Sequence, residues 1–307
     1  MRRILALCAT ASILSACGGS DEGRREAVLA LDFQPNAVHA GVYAAVRDGS
    51  DVEVSVRVPS ASTDSLKLLA AGRADLAVVD IHDLGLARQR GADIVGVGAL
   101  AQRPLAAVIA RAAGIRRPRD LEGRRVGVTG LPSDDAVLRS VIQSDGGDPD
   151  RVDRVTIGFT AVPSLIAERV DAVVSFWNVE GVALRRRGVP TREFRVDEFG
   201  APRYPELVLA TTGRTLAERR PLIDDTLGAL TAGTRAALAD RDTAVADIVE
   251  ASGADESLVR AQLTAVAPAL VPPVRLDPAA LRGWARFDAR FGILERPPDV
   301  ERAFALD

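Results

Sequence analysis

Leu31-Asp32-Phe33-Gln34-Pro35-Asn36-Ala37-Val38-His39-Ala40-Gly41-Val42-Tyr43 is the stretch on which the fold of this 307-residue chain turns. Residues 28–32 leading into it form a short apolar run closed by a carboxylate, the pattern of a buried strand. Residues 37–47 place apolar side chains at helical spacing, and Pro35 presets the backbone angle that a first helical turn requires. Strand, polar turn and helix in that order make one βα unit. Working outward, further strands are expected at residues 52–56, 76–80, 94–99, 106–110, 125–128, 154–157, 172–175 and 206–211. Helical patterns lie between them, at 65–71, 134–145, 163–168 and 179–187. This alternation reads as α/β with parallel sheets. From about Leu222 onward the texture is helical only, at 222–238, 243–252, 256–266 and 278–291, which predicts a C-terminal helical flank packed on one lobe.

The chain also echoes itself. Gly72-Arg73-Ala74-Asp75-Leu76-Ala77-Val78-Val79 resembles Glu168-Arg169-Val170-Asp171-Ala172-Val173-Val174. Each is a helix end, a turn carrying Asp, then a buried strand. Either any Ala-rich α/β chain repeats this unit, or there are two similar lobes. In the second case Asp80-Ile81-His82 and Phe176-Trp177-Asn178 face one shared cleft.

Composition narrows the function. With 47% hydrophobic and 26% charged residues, the chain has enough apolar surface for two cores. A formal net charge of -3 gives no reason to expect a nucleic-acid partner. Arg2 and Arg3 followed by apolar residues 4–14 form an export signal too short to span a bilayer. The run ends in Leu14-Ser15-Ala16-Cys17, which resembles the bacterial lipobox. In that class of signals the Cys is lipidated after cleavage, here Cys17. Residues 1–16 are then the signal peptide and 17–26 a tether, and the mature charge falls to -5. Cys8, the only other cysteine, leaves with the signal, so no disulfide, cysteine metal site or thiol nucleophile remains.

In open α/β sheets ligands collect outside the carboxyl ends of strands. Those ends are Asp32–Asn36, Asp80–Asp83, Thr129–Ser133 and Phe176–Glu180. Acidic and amide groups beside aromatic faces suit a flat, nitrogen-rich ring. Here the residues carry a resemblance. The 31–43 segment resembles the opening motif of the thiamine-pyrimidine-precursor-binding proteins, relatives of the fungal thiamine pyrimidine synthase, which reads Leu-Asp-Trp-x-Pro-Asn, two residues, then His-x-Gly-x-Tyr. Gly130–Leu138, Phe176–Val182 (the tryptophan–glutamate motif) and Gly200–Leu207 resemble three later motifs of the family, in order. Phe33 stands where the family carries Trp, Arg47–Asp51 is shortened, and the cysteine-rich motif of the fungal enzymes is absent.

The resemblance implies a type II periplasmic-binding-protein fold: two α/β lobes, two crossing segments and a helical C-terminal flank. It places residues 27–107 with 208–307 in lobe 1 and 108–207 in lobe 2. It implies capture of an aminopyrimidine for an ABC permease, with no turnover, no cofactor and no metal, by a monomer; the lipobox resemblance adds export and attachment to the outer face of the membrane by lipid alone. It further implies that Trp177 stacks on the ring and Glu180 pairs with its amino edge, with Asp32, Asn36, His39 and Tyr43 near the first-lobe wall. Phe33, Asp80, Ser133, Asn178 and Tyr204 complete the candidate site. Plainer readings stand beside these: Asp32 as a helix cap, His39 as a structural histidine, Tyr43 as core one turn after it, and Ser133 with Asp134 as an N-cap. Another flat heterocycle such as riboflavin, or an interaction lipoprotein with a dead cleft, are the competing functions. Enzyme signatures such as Gly-x-Ser-x-Gly, Walker loops and clustered metal ligands are missing.

Overall fold

The computed structural model describes residues 25–49, 52–60 and 64–306; the signal segment with Cys17 lies outside them. Ten strands form two five-stranded sheets. The first contains β1 (Arg25–Ala30), β2 (Val52–Arg57), β3 (Leu76–Asp80), β4 (Ile94–Ala99) and β10 (Leu207–Thr212), in the order β2-β1-β3-β10-β4. The second contains β5 (Ala106–Arg111), β6 (Arg125–Val128), β7 (Asp153–Thr156), β8 (Ala172–Phe176) and β9 (Thr191–Arg195), in the order β7-β6-β8-β5-β9. The helices are α1 (Ala40–Asp48), α2 (Asp64–Ala70), α3 (Ile81–Gln89), α4 (Pro132–Ser144), α5 (Ala161–Ile166) and α6 (Val182–Arg186), then α7 (Gly213–Glu218), α8 (Arg220–Ala239), α9 (Arg241–Ser252), α10 (Glu256–Val266), α11 (Pro278–Arg290) and α12 (Val300–Ala303).

The two sheets share one plan, and it is mixed rather than parallel throughout as expected, because β10 in one and β5 in the other run against their neighbours. In the first, β1 is parallel to β2 and β3, and β10 runs antiparallel to β3 and β4. In the second, β6 is parallel to β7 and β8, and β5 runs antiparallel to β8 and β9. β3 and β8, the two strands of the sequence echo, are therefore equivalent central strands. Their lead-in turns match in detail. The Asp75 carboxylate accepts the Val28 amide at 2.8 Å, and Asp171 accepts the Arg125 amide at 2.9 Å. Both turns use a left-handed residue, Gly72 at φ 64° and Glu168 at φ 57°.

The chain passes between sheets twice, from β4 to β5 and from β9 to β10. Ala106 and Ala107 already pair with β8, so the first passage ends a few residues before the expected 107/108 boundary. The passages lie side by side: Leu100 N–H donates to the Leu207 carbonyl at 2.8 Å, and the Leu105 amide donates to Glu206 Oε2 at 2.7 Å.

α8 lies along α1 so closely that a Cβ on Gly233 would sit 2.3 Å from the Gly41 carbonyl oxygen. The C-terminal flank does not stay on one lobe as expected, because α10 touches both the turn at Ala37–His39 and α6 beside the second sheet. Four elements, β9, α3, α7 and α12, are absent from the sequence reading, and the first two show why. β9 carries mostly polar residues and buries chiefly Phe194, as an edge strand can, so it shows no apolar run. α3 contains Gly85, which lowers helical propensity; the Trp284 ring occupies the space that a Cβ would need there.

Candidate functional site

A cavity of about 130 Å³ lies between the sheets, at the carboxyl ends of their strands. Asp32, Phe33, Asn36, Asp80, Asp83 and Glu206 line it from the first-sheet side. Ser133, Asp134, Phe159, Ser175, Phe176 and Glu180 line it from the second. Phe33 and Phe159 meet edge to face across it, ring centroids 4.5 Å apart. Both rings are partly exposed, which puts them at the rim and holds the two walls in contact. The volume corresponds to about ten water-sized spheres.

The first wall is set by a short relay. Asn36 Oδ1 accepts the Val38 amide at 3.0 Å and so caps the turn that opens α1; Asn36, not Asp32, is the cap. The Asn36 amide donates to His39 Nδ1 at 3.3 Å, which leaves Nε2 to carry the ring proton and donate to Asp32 Oδ1 at 2.9 Å. His39 is completely buried. It does not line the cavity; it orients Asp32, which does. Tyr43, one turn further, packs against the core, and burial pushes its phenol up to about 12.

The floor is a buried polar cluster. His82 is fully buried; Nδ1 binds Asp288 at 2.6 Å and Nε2 lies 3.1 Å from the Tyr204 hydroxyl. Burial alone would depress its pKa, but Asp288, with Asp80 and Glu206 nearby, reverses this and lifts the imidazole to about 10. Glu206 Oε2 accepts the Leu105 and Ala106 amides at 2.7 and 3.3 Å, tying one passage between the sheets to the other. Burial raises the Glu206 carboxyl, against the pull of His82 and these amides. Asp80 caps α3 through the His82 amide at 2.8 Å and is raised well above its usual value by burial, with His82 opposing. Asp80, His82 and Glu206 lie close enough to share an ion, yet both His82 nitrogens already hold partners. Tyr204 is therefore a member of this cluster and not of the cavity wall.

The second wall departs most from expectation. β8 ends at Phe176, and a turn of wide, π-type helix spans Trp177–Gly181. That turn swings the Trp177 indole away from the cavity. Its Nε1–H donates to the Pro104 carbonyl at 3.2 Å, and the Arg195 guanidinium stacks on its ring at 4.3 Å. Asn178 is fully buried outside the cavity as well. Phe176 presents its ring instead. Glu180 returns to the cavity and accepts the Phe176 amide at 3.1 Å; burial pushes its carboxyl up to about 7. Ser133 lines the cavity but does not cap α4, whose cap position is Leu131. Asp134 ties the preceding loop by accepting Thr129 Oγ1 at 2.8 Å and the Gly130 amide at 3.0 Å.

Of the other wall residues, Phe176 and Asp83 lie within the strand ends singled out in the sequence and Glu206 near the second passage, though outside the candidate set, whereas Phe159 lies outside all of them. The rule that found the others would have found Phe159, which follows the carboxyl end of β7. Phe176 was hidden by the tryptophan beside it.

The family described as NMT1/THI5 like matches residues 36–244. This chain belongs to that family. A formylaminopyrimidine-binding protein from Halalkalibacterium halodurans is 32% identical over 212 residues, 67% of this chain and 64% of that protein. The chain thus spans just under two thirds of that relative's length. Among solved structures, the alkanesulfonate-binding protein SsuA from Xanthomonas axonopodis pv. citri superposes with a TM-score of 0.73 at 16% identity, over 91% of this chain and 98% of the other. The periplasmic aliphatic sulphonate binding protein SsuA from Escherichia coli gives 0.72 at 14% identity, over 91% and 97%. Two mixed α/β sheets joined by two passages, with flanking helices, make this NMT1/THI5-like chain a periplasmic-binding-protein fold.

Proposed function

We propose that this protein is the substrate-binding component of an ABC importer and captures a thiamine pyrimidine precursor of the formylaminopyrimidine type. The observation that carries the reading is the cavity itself: three phenyl faces from both walls, with carboxyls around them, in a space fit for one substituted ring. A carboxyl such as Glu180 can exchange two hydrogen bonds with an amino group and its neighbouring ring nitrogen. Closure would bring the walls together, a reading that the Phe33–Phe159 contact supports, and relaxation of the two passages would open them. A permease would then read the closed form. Export and lipid attachment at Cys17 belong to the same proposal, as does action as a monomer without catalysis. Among the described residues no helix is long and apolar enough to cross a membrane.

The test is calorimetric titration of the purified chain with formylaminopyrimidine, thiamine and riboflavin. Saturable one-to-one binding of the formylaminopyrimidine, weakened about ten-fold or more by Glu180→Ala, is expected. Binding of riboflavin in its place would overturn the substrate and keep the transport class.

A further inference from the structure

α10 is anchored on one side of the cleft and leans on the other. Its packing against α9, and that of α9 against α1, fixes it to the helices of the first sheet. It also packs against α6 and the Trp177–Gly181 turn, which follow β8 of the second sheet. Val259, Leu263 and Val266 fall on one face of the helix and are buried. They belong to one continuous apolar cluster that runs from Val38 and Ala40 on the first side to Trp177 and Leu184 on the second. Among the described residues, none of α10 lines the cavity.

The two ends of α10 are held differently. Just beyond the C-terminal end, the Ala269 carbonyl accepts the Gln102 amide at 2.6 Å, and Gln102 Nε2 donates to the Pro272 and Arg275 carbonyls at 2.7 and 2.9 Å. Gln102 lies on the first passage between the sheets, so this end is pinned where the walls would hinge. At the N-terminal end, Asp255 caps the helix by accepting the Leu258 amide at 2.9 Å, and it also accepts the Ser257 hydroxyl. Arg186, at the end of α6, donates to the oxygen of that same hydroxyl. Ser257 and the Leu258 amide hold the Asp255 carboxyl below its usual range, and the Arg186 charge adds to their pull. Backbone carbonyls thus secure one end, whereas an exposed side-chain pair secures the other. The 11 residues of α10 span about 16 Å between them.

We propose that α10 is a strap across the cleft: hinged at Gln102 and caught at Arg186, it sets how readily the walls part, and so how long a ligand stays, without touching the ligand. Rotation about the passages leaves the hinged end in place and draws α6 away from the catch. An exposed tie of this kind shifts an equilibrium only about two- to five-fold, which tunes release and does not lock the walls. The effect on ligand residence rests on the cavity being the ligand site, as proposed above; the effect on shape does not.

Two substitutions move the catch in opposite directions. Arg186→Glu sets a carboxylate against Asp255 and Glu256, whereas Ser257→Asp offers Arg186 a charged acceptor. Small-angle scattering of the protein alone and stopped-flow release of formylaminopyrimidine are the two readouts, with thermal unfolding confirming the fold of each variant. Arg186→Glu is expected to enlarge the radius of gyration and to speed release about three-fold. Ser257→Asp is expected to slow release by about the same factor, with no such enlargement. Unchanged scattering in Arg186→Glu, or release that moves the same way in both variants, overturns the strap and leaves the importer reading standing. Enlargement in Arg186→Glu, with formylaminopyrimidine bound by none of the proteins, upholds the strap and overturns the proposed substrate.

Discussion

β3 and β8 are the same strand in two sheets, and they end differently. Both are central, both follow a helix end and an Asp-anchored turn, and both deliver their last residue to the cavity: Asp80 from one, Phe176 from the other. Two residues later the equivalence breaks. His82 enters a network in which each ring nitrogen has a partner, whereas Asn178 is buried with neither side-chain polar atom paired among the described residues. The first strand end supplies charge and a hydrogen-bonded floor; the second supplies an aromatic face and Glu180.

The comparison breaks hardest at the residues two beyond the strands. Asp288→Ala leaves a buried imidazolium unpaired and is expected to cost about 3–5 kcal/mol in denaturant unfolding. Asn178→Ala removes only unpaired groups and is expected to cost under about 1 kcal/mol. Equal losses would show that Asn178 has partners as strong as those of His82.

The two ends also share a sensitivity to rising pH. Glu180 (about 7 against 4.5), Asp83 (about 6 against 3.8) and His82 (about 10 against 6.5) are all raised in the folded state. Each favours its protonated form on folding. The stability they contribute is complete below the unfolded values and is lost as pH rises through the folded ones. The empty protein should therefore melt at a lower temperature at pH 8 than at pH 5, with Glu180→Gln removing the part of the decline between about 4.5 and 7. A melting temperature that climbs over that range would contradict these shifts.

The smallest effect separates the turns before the strands. Glu168 holds a left-handed conformation that Gly72 holds at no steric cost. Glu168→Gly is expected to stabilise the protein by about 0.5–1 kcal/mol, and Gly72→Ala to destabilise it by a similar amount. The Arg111–Glu168 ion pair lost in the first variant is mostly exposed and offsets little.

This repeat was legible in the sequence because buried strands and Asp-bearing turns are local features. The bounds of β3, β4 and β6 follow from their apolar runs, and Asp32, Phe33, Asn36, Asp80, Ser133 and Glu180 follow from strand ends. What escaped depends on tertiary context. A π-type turn decides that Phe176 and not Trp177 faces the cavity, and no spacing rule announces such a turn. Tyr204 reads as a cleft residue until His82 and Asp288, far away in the chain, are seen to claim it. His39 reads as a contact and proves to be the residue that aims one.

On the proposed function, the second strand end grips the ligand through Phe176, with Trp177 turned onto Pro104 and Arg195. Calorimetry of Phe176→Ala and Trp177→Phe, side by side with the formylaminopyrimidine, tests it directly. The account predicts about ten-fold weaker binding for Phe176→Ala, from loss of an aromatic contact and its buried area, and less than about two-fold change for Trp177→Phe, whose ring meets no ligand. Full affinity in Phe176→Ala with collapse in Trp177→Phe would contradict it.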